Sequence, residues 1–191
     1  DLQFEGAQYS FAGYQTPYAQ LDANCLVFNE DLMNEIGYQD IYDIVNSDAW
    51  DNTKYIGICT EATSDLNGNG SINQEDRVGT VYERYKSEAF VLENSGIEIF
   101  TNGTYGENTV SFCNLLYSSW EHLERVSCEA QNPQEMFLSG NALFYATTLS
   151  RVAGLDGKDA LYTYASFPVC VVPVPDMVGH YVPAAASCNR G

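Results

Sequence analysis

Asp65 to Asp76 reads DLNGNGSINQED, with oxygen-bearing side chains at alternate positions. Asp65, Asn67 and Asn69 fall at positions 1, 3 and 5 of a calcium-loop register, Gly70 at position 6, where the backbone must turn sharply, and Asp76 at position 12. Ser71 offers its carbonyl at position 7, and Ile72 supplies an apolar anchor at position 8. Calcium is a hard cation that takes about six to eight oxygens, and a chain presenting an oxygen at every second residue can curl around one. The competing reading is an Asx-rich turn, because Asn and Asp side chains also bond their own backbone N–H groups. Asp at the closing position reaches less far than Glu, and Gly79 follows within three residues, which argues against the second helix of a signalling pair. Only Asp65 and Asp76 carry formal charge among the expected ligands Asp65, Asn67, Asn69, Ser71 and Asp76. That predicts one structural calcium site of modest, extracellular-type affinity.

No other segment spells out a reaction. The two histidines, His122 and His180, belong to no HExxH pair, and no GxSxG elbow or phosphate-cradling glycine loop is present. Carboxylates number 26, so a glycosidase-like pair somewhere in the chain carries little diagnostic weight. A non-enzyme is expected. Lys and Arg number 8, giving a formal net charge of −18, which would repel nucleic acid and anionic membranes and suits a soluble exported protein. The 14 tyrosines are compatible with a carbohydrate-facing surface, since each offers a flat apolar face and a polar tip; packing at the core edge is the plainer use. Six cysteines allow three disulfides, but none forms a CxxC pair, and Cys25, Cys59 and Cys113 sit in apolar runs as core thiols do, so mostly free thiols are expected. No signal peptide is legible at the first residue, and no apolar run is long enough to cross a bilayer.

The elements that would position these residues alternate. CLVF at Cys25–Phe28 runs into Asn29, a fitting N-cap for EDLMNEI, with Gly37 as the stop. A short helix around Tyr42, Ile44 and Val45 precedes a longer one opened by Trp50 and capped by Asp51 or Asn52, with Tyr55, Ile56, Cys59 and Ala62 at helical spacing. Trp50 either stacks on a sugar or staples the helix start into the core. VYERYKSEAFVLENSG, ending at Gly96, reads as helix, IEIFTNGTYGENTVSF as a β-hairpin, and CNLLYSSWEHLERVSC as the next helix. Asn132-Pro133 starts a short helix that Gly140 ends; ALFYATTLS reads as a buried strand running into a loop, and FPVCVVPVP as an edge strand or a connection. The order argues one α/β unit over 1–191, with the loop at 65–76 and no convincing internal boundary.

YDIVNSDAW…KYIGICTEATSDLNGNGSINQEDRVG resembles the family 1 extracellular solute-binding proteins of carbohydrate ABC transporters, through Tyr42, Asp43, Ile44, Val45, Trp50, Ala62, Thr63, Asp65 to Gly70, Asp76 and Gly79. MFLSGNALFYATTLSRVAGL and VVPVPDMVGHYVPAAASCNRG are similar to later parts of the same family. The family's position-5 Asp is Asn69 here, and its Lys-Trp-Thr is Ala49-Trp50-Asp51. The resemblance implies a periplasmic-binding-protein type II-like lobe, a small mixed sheet flanked by helices, corresponding to the second lobe of a two-lobed receptor whose first lobe and C-terminal tail lie outside this chain. It implies a carbohydrate or oligosaccharide ligand, a membrane permease as partner, and an extracellular, cell-surface or periplasmic location, with a lipid anchor compatible with a longer parent. Asp22 and Asn24, where the family chain returns from the hinge, and Thr147 and Thr148, at the end of the ALFY strand, are the ligand-facing residues it points to; the plainer reading is that Asp22 and Asn24 form a turn and the threonines cap a helix. A calcium-stabilised adhesion or scaffolding module and a glycoside hydrolase remnant are the alternatives.

Overall fold

The computed structural model describes residues 2–4, 7–10, 23–47, 49–82, 100–101, 104–105, 108–130, 132–155 and 158–175. Among the described residues nine strands run in chain order: β1 Leu2–Phe4, β2 Ala7–Ser10, β3 Asn24–Asn29, β4 Val78–Tyr82, β5 Phe100–Thr101, β6 Thr104–Tyr105, β7 Ser127–Glu129, β8 Ala142–Thr148 and β9 Val169–Pro173. The described helices are α1 Glu30–Glu35, α2 Ile41–Val45, α3 Asn52–Ala62, α4 Asn108–Leu123, α5 Pro133–Leu138 and α6 Leu149–Ala153, with a 3-10 turn at Leu161–Thr163.

Five strands form a mixed sheet in the order β7-β4-β8-β3-β9. β4 is parallel to both β7 and β8, whereas β3 is antiparallel to β8 and to β9. Four strands therefore share one direction and β3 alone opposes it. NCLVFN in β3 is buried at every residue after Asn24, as expected of a strand covered on both faces. Its alternation sorts two cores. Leu26 and Phe28 face a cluster with Phe144, Trp50, Tyr55, Ile58, Met33 and Ile41, so α1, α2 and α3 cover that side. Val27 faces the other, with Val78, Val81, Tyr145, Phe137 and Leu161, beneath α5 and the 3-10 turn.

The helix ends follow their chemistry. Asn29 Oδ1 accepts from Leu32 N at 3.2 Å, Asp51 Oδ1 from Lys54 N at 2.7 Å and Asn132 Oδ1 from Glu135 N at 3.3 Å, each filling an orphan donor of a first turn. Gly79 lets α3 lie directly on β4, since a Cβ there would meet the backbone and Cβ of Cys59 inside contact distance.

Three expectations need correction. Val81 and Tyr82 do not begin a helix but end β4, because strands on both sides offer Val78–Tyr82 ladder bonds; the rest of that expected helix lies outside the described residues. The hairpin exists as β5 and β6, but α4 starts at Asn108 and takes Asn108–Phe112 from it. ALFYATT leads into α6 rather than a loop. The expected edge strand is β9. Cys25, Cys59, Cys113 and Cys170 are thiols, as expected, while Cys188 lies outside the described residues.

Candidate functional site

Two clusters sit at opposite ends of the sheet. The first lies where β8 ends. Asn24 pairs with Thr148 and Cys25 with Thr147 across the β3–β8 ladder, so the structure brings Asn24 and Thr148 to one face at this edge, with Thr147 on the opposite face. The ladder continues past the strand, with Leu149 N donating to Ala23 O at 3.0 Å. Thr148 also caps α6, its Oγ1 accepting from Arg151 N at 3.4 Å and lying 2.9 Å from Ser150 Oγ. The left-handed Gly154 (φ 73°) closes that helix, with Ala160 in the space a side chain would need. These capping bonds make α6 the continuation of the strand. Asp22 lies outside the described residues. An amide and two hydroxyls at the carboxyl ends of parallel strands can exchange hydrogen bonds with a polyol, and open α/β sheets bind ligands at that edge.

Sequence reading missed Arg151, buried on α6 next to this edge, and two exposed tyrosines, Tyr162 in the 3-10 turn packed against α6 and Tyr164 just after it. Neither has a periodicity or motif that marks it. Trp50, in contrast, is withdrawn from any ligand: it is fully buried, and its Nε1 donates to Pro173 O at 2.8 Å. The stapling role is the one it fills.

The second cluster is the loop of Asp65–Asp76, which joins α3 to β4. Ser64 and Arg77 bridge its two ends through reciprocal backbone bonds of 2.9 and 3.1 Å. Asp65 Oδ1 accepts from Gly68 N at 2.6 Å and Oδ2 from Gly70 N at 2.8 Å. The N–H of Gly70, with that of Gly68, holds the Asp65 carboxyl below its usual range, only partly opposed by desolvation. Asn67 Oδ1 accepts from Asn69 N, Asn69 Oδ1 from Ser71 N and Asn73 Oδ1 from Glu75 N, at 3.0, 2.8 and 2.8 Å. Asp76 is fully buried, and its oxygens accept from Leu66 N at 2.9 Å, Asn67 N at 3.4 Å and Asn73 N at 2.9 Å.

The fit of this loop to a cation is uneven. Among the described residues, no group of three or more His, Cys, Asp or Glu side chains could hold a metal, so calcium would have to draw on amide and carbonyl oxygens. Asp65 keeps about two of its roughly four lone-pair sites after its backbone bonds, and Asn67 and Asn69 about one each. Ser71 O already accepts from Asn73 Nδ2 at 3.3 Å. Asp76 is committed to the loop's own amides. The first three residues suit a cation, whereas Asp76 serves as the buried keystone.

The loop feeds the amino end of β4, where Val78 pairs with Ala142, the first residue of β8. Thr148 is at the other end of that strand, roughly 20 Å away at about 3.3 Å per residue. The two clusters do not share a site.

Several solved structures align over most of this chain. The crystal structure of UgpB from Mycobacterium tuberculosis in complex with glycerophosphocholine aligns with 80% of it at 16% identity and TM-score 0.52. The maltose/maltodextrin-binding domain MalE from Bdellovibrio bacteriovorus, bound to maltotriose, aligns with 84% at 16% identity and TM-score 0.53. The α/β fold is shared with the aligned parts of these two proteins. A family 1 extracellular solute-binding protein from Bifidobacterium longum subsp. infantis aligns at 14% identity over 83% of this chain and 40% of its own, with a TM-score of 0.44. The chain spans 35% of the length of UgpB and 39% of that of MalE. No family profile matches the sequence, and no curated protein does. The lobe thus has the α/β architecture, a mixed sheet flanked by helices, that the sequence resemblance implied.

Proposed function

We propose that this chain is a non-catalytic lobe of an exported solute-binding receptor that takes a carbohydrate or oligosaccharide and delivers it to the membrane permease of an ABC importer. The observation that carries the reading is the five-stranded mixed sheet, alignable with a maltotriose-bound domain and a glycerophosphocholine-bound protein. The placement of Asn24, Thr147 and Thr148 at the carboxyl edge supports it. An extracellular, surface or periplasmic location goes with this role, and the acidic surface favours solubility there. A lobe that presents half of a cleft binds weakly, because the ligand keeps much of its surface in water. The test is NMR titration of the chain with maltotriose and with glycerophosphocholine. Saturable shifts confined to residues near Asn24 and Thr147 are expected. Shifts with neither compound, or shifts scattered over the surface, would refute the reading.

The same reading places calcium in the loop, held by Asp65, Asn67, Asn69 and the Ser71 carbonyl, with Asp76 closing the turn beneath. The alternate-residue register and the lone pairs left on the first three side chains support this. Such a cation would stabilise the junction of α3 and β4 and touch no ligand at the opposite edge. Binding to the folded state alone contributes about 2.7 kcal/mol at a ~100-fold excess over Kd, with Kd on the order of 0.1–1 mM for a site of this kind. A melting temperature that rises with calcium and falls with chelator is expected, and Asp65→Ala should abolish the difference. Equal melts in calcium and chelator would show an Asx-rich turn and nothing more.

A further inference from the structure

An Asn-Gly step can react with itself. The glycine nitrogen attacks the side-chain carbonyl carbon one residue back and closes a five-membered imide, and with no Cβ on glycine nothing crowds the approach. The loop of 65–76 contains two such steps, Asn67-Gly68 and Asn69-Gly70, with all four residues exposed. Around Asn69-Gly70 the structure supplies what that reaction needs. Gly70 N, the nucleophile, donates to Asp65 Oδ2 at 2.8 Å, so its proton has an acceptor. Asn69 Oδ1, where negative charge develops during the attack, already accepts from Ser71 N at 2.8 Å, a backbone N–H serving there as an oxyanion donor. Gly70 has a φ of 80°, with open space where a side chain would stand. The leaving group is unrestrained, since Asn69 Nδ2 makes no hydrogen bond to any of the described residues.

Asn67-Gly68 shares the first two features and lacks the last. Gly68 N donates to Asp65 Oδ1 at 2.6 Å, and Asn67 Oδ1 accepts from Asn69 N at 3.0 Å. Asn67 Nδ2, however, donates to Glu75 Oε2 at 3.2 Å, so the group that must leave is tethered to a carboxylate. We propose that Asn69 is a self-modification site of this protein, converting to aspartate and isoaspartate ahead of Asn67. In the first step Gly70 N bonds to Asn69 Cγ, the amide proton passes by way of Asp65 Oδ2 and water to Nδ2, and the Cγ–Nδ2 bond breaks to release ammonia. In the second, water adds to either imide carbonyl and opens the ring. Nothing is oxidised or reduced, and no ligand or cation takes part. Both products place a carboxylate beside Asp65, so the loop gains a negative charge as the protein ages.

The full chain is incubated at neutral pH in chelator, sampled over days and mapped by tandem mass spectrometry, which assigns each amide-to-acid mass gain to Asn67 or Asn69. In the folded chain Asn69 should convert about three- to tenfold faster than Asn67, and in urea, where these bonds are gone, the two should convert alike. Glu75→Ala frees Asn67 Nδ2 and should raise the Asn67 rate toward that of Asn69, leaving Asn69 unchanged. Asp65→Asn offers the Gly70 N–H a neutral acceptor and should slow Asn69. If Asn69 stays intact in the folded chain, or converts no faster than Asn67, the site is wrong. If its lead persists in urea, the preference belongs to the local sequence and the structural argument fails. A Glu75→Ala chain whose Asn67 stays slow overturns the leaving-group argument, and an Asp65→Asn chain whose Asn69 converts as fast as the wild type or faster removes Asp65 from the reaction.

Discussion

Replacing Asp76 by alanine removes the acceptor on which the loop of 65–76 is folded. The carboxylate is fully buried and takes N–H groups from Leu66 and Asn73, each at 2.9 Å, and from Asn67 at 3.4 Å. A hydrogen bond to a charged group contributes about 1.5–3 kcal/mol. The two shorter bonds span the loop from its start to its end, so they are counted and the long one is not. The expected loss is about 3–6 kcal/mol, which for a chain of this size lowers the melting temperature by roughly 6–24 °C. Asp76→Asn keeps one oxygen acceptor and should lose about half as much. Because the bonds are to the protein's own amides, the loss must appear in excess chelator as well as in calcium. The assay is a thermal melt followed by circular dichroism under both conditions. If Asp76→Ala melts with the wild type in chelator and falls below it only in calcium, Asp76 acts through a cation and the keystone argument is wrong.

Gly79→Ala places a Cβ against the backbone of Cys59, which cannot yield without moving α3 off β4, so a loss of about 1–3 kcal/mol or more is expected in denaturant unfolding. Burial pushes the Cys25 thiol up to about 12 and Cys59 further still, so both should resist iodoacetamide at pH 8 in the folded chain, while the exposed Cys113 is labelled; mass mapping of the modified cysteines decides this. Asp65 has a folded pKa below its unfolded value, so its backbone bonds contribute stability above about pH 4 that is lost as pH falls through the depressed folded value. Asp65→Asn should therefore flatten the acid limb of a stability–pH curve, and an unchanged limb would show that those bonds are not made in solution.

The sequence is most legible where one residue type does one local job. Asn29, Asp51 and Asn132 are caps in the structure because their short polar side chains can reach an N–H three residues on, and that reach depends on nothing distant. Gly37 is similar: its φ of 88° is a backbone state that glycine enters cheaply. β4 is illegible for the opposite reason. Val78–Tyr82 is followed by residues that favour helix, and only the ladders to β7 and β8, both far along the chain, make it a strand. At the carboxyl edge, the segment ALFYATTLS reads as strand, but whether Thr148 ends in a loop or caps a helix turns on Gly154 and on Ala160 folding against it. The Asn24–Thr148 pairing could be pointed to only through a family likeness, since a register between two strands is a tertiary fact. Arg151 gave no signal at all, because what distinguishes it is its bonds to Thr148, Gln134 and Asp159, which no spacing in the chain announces.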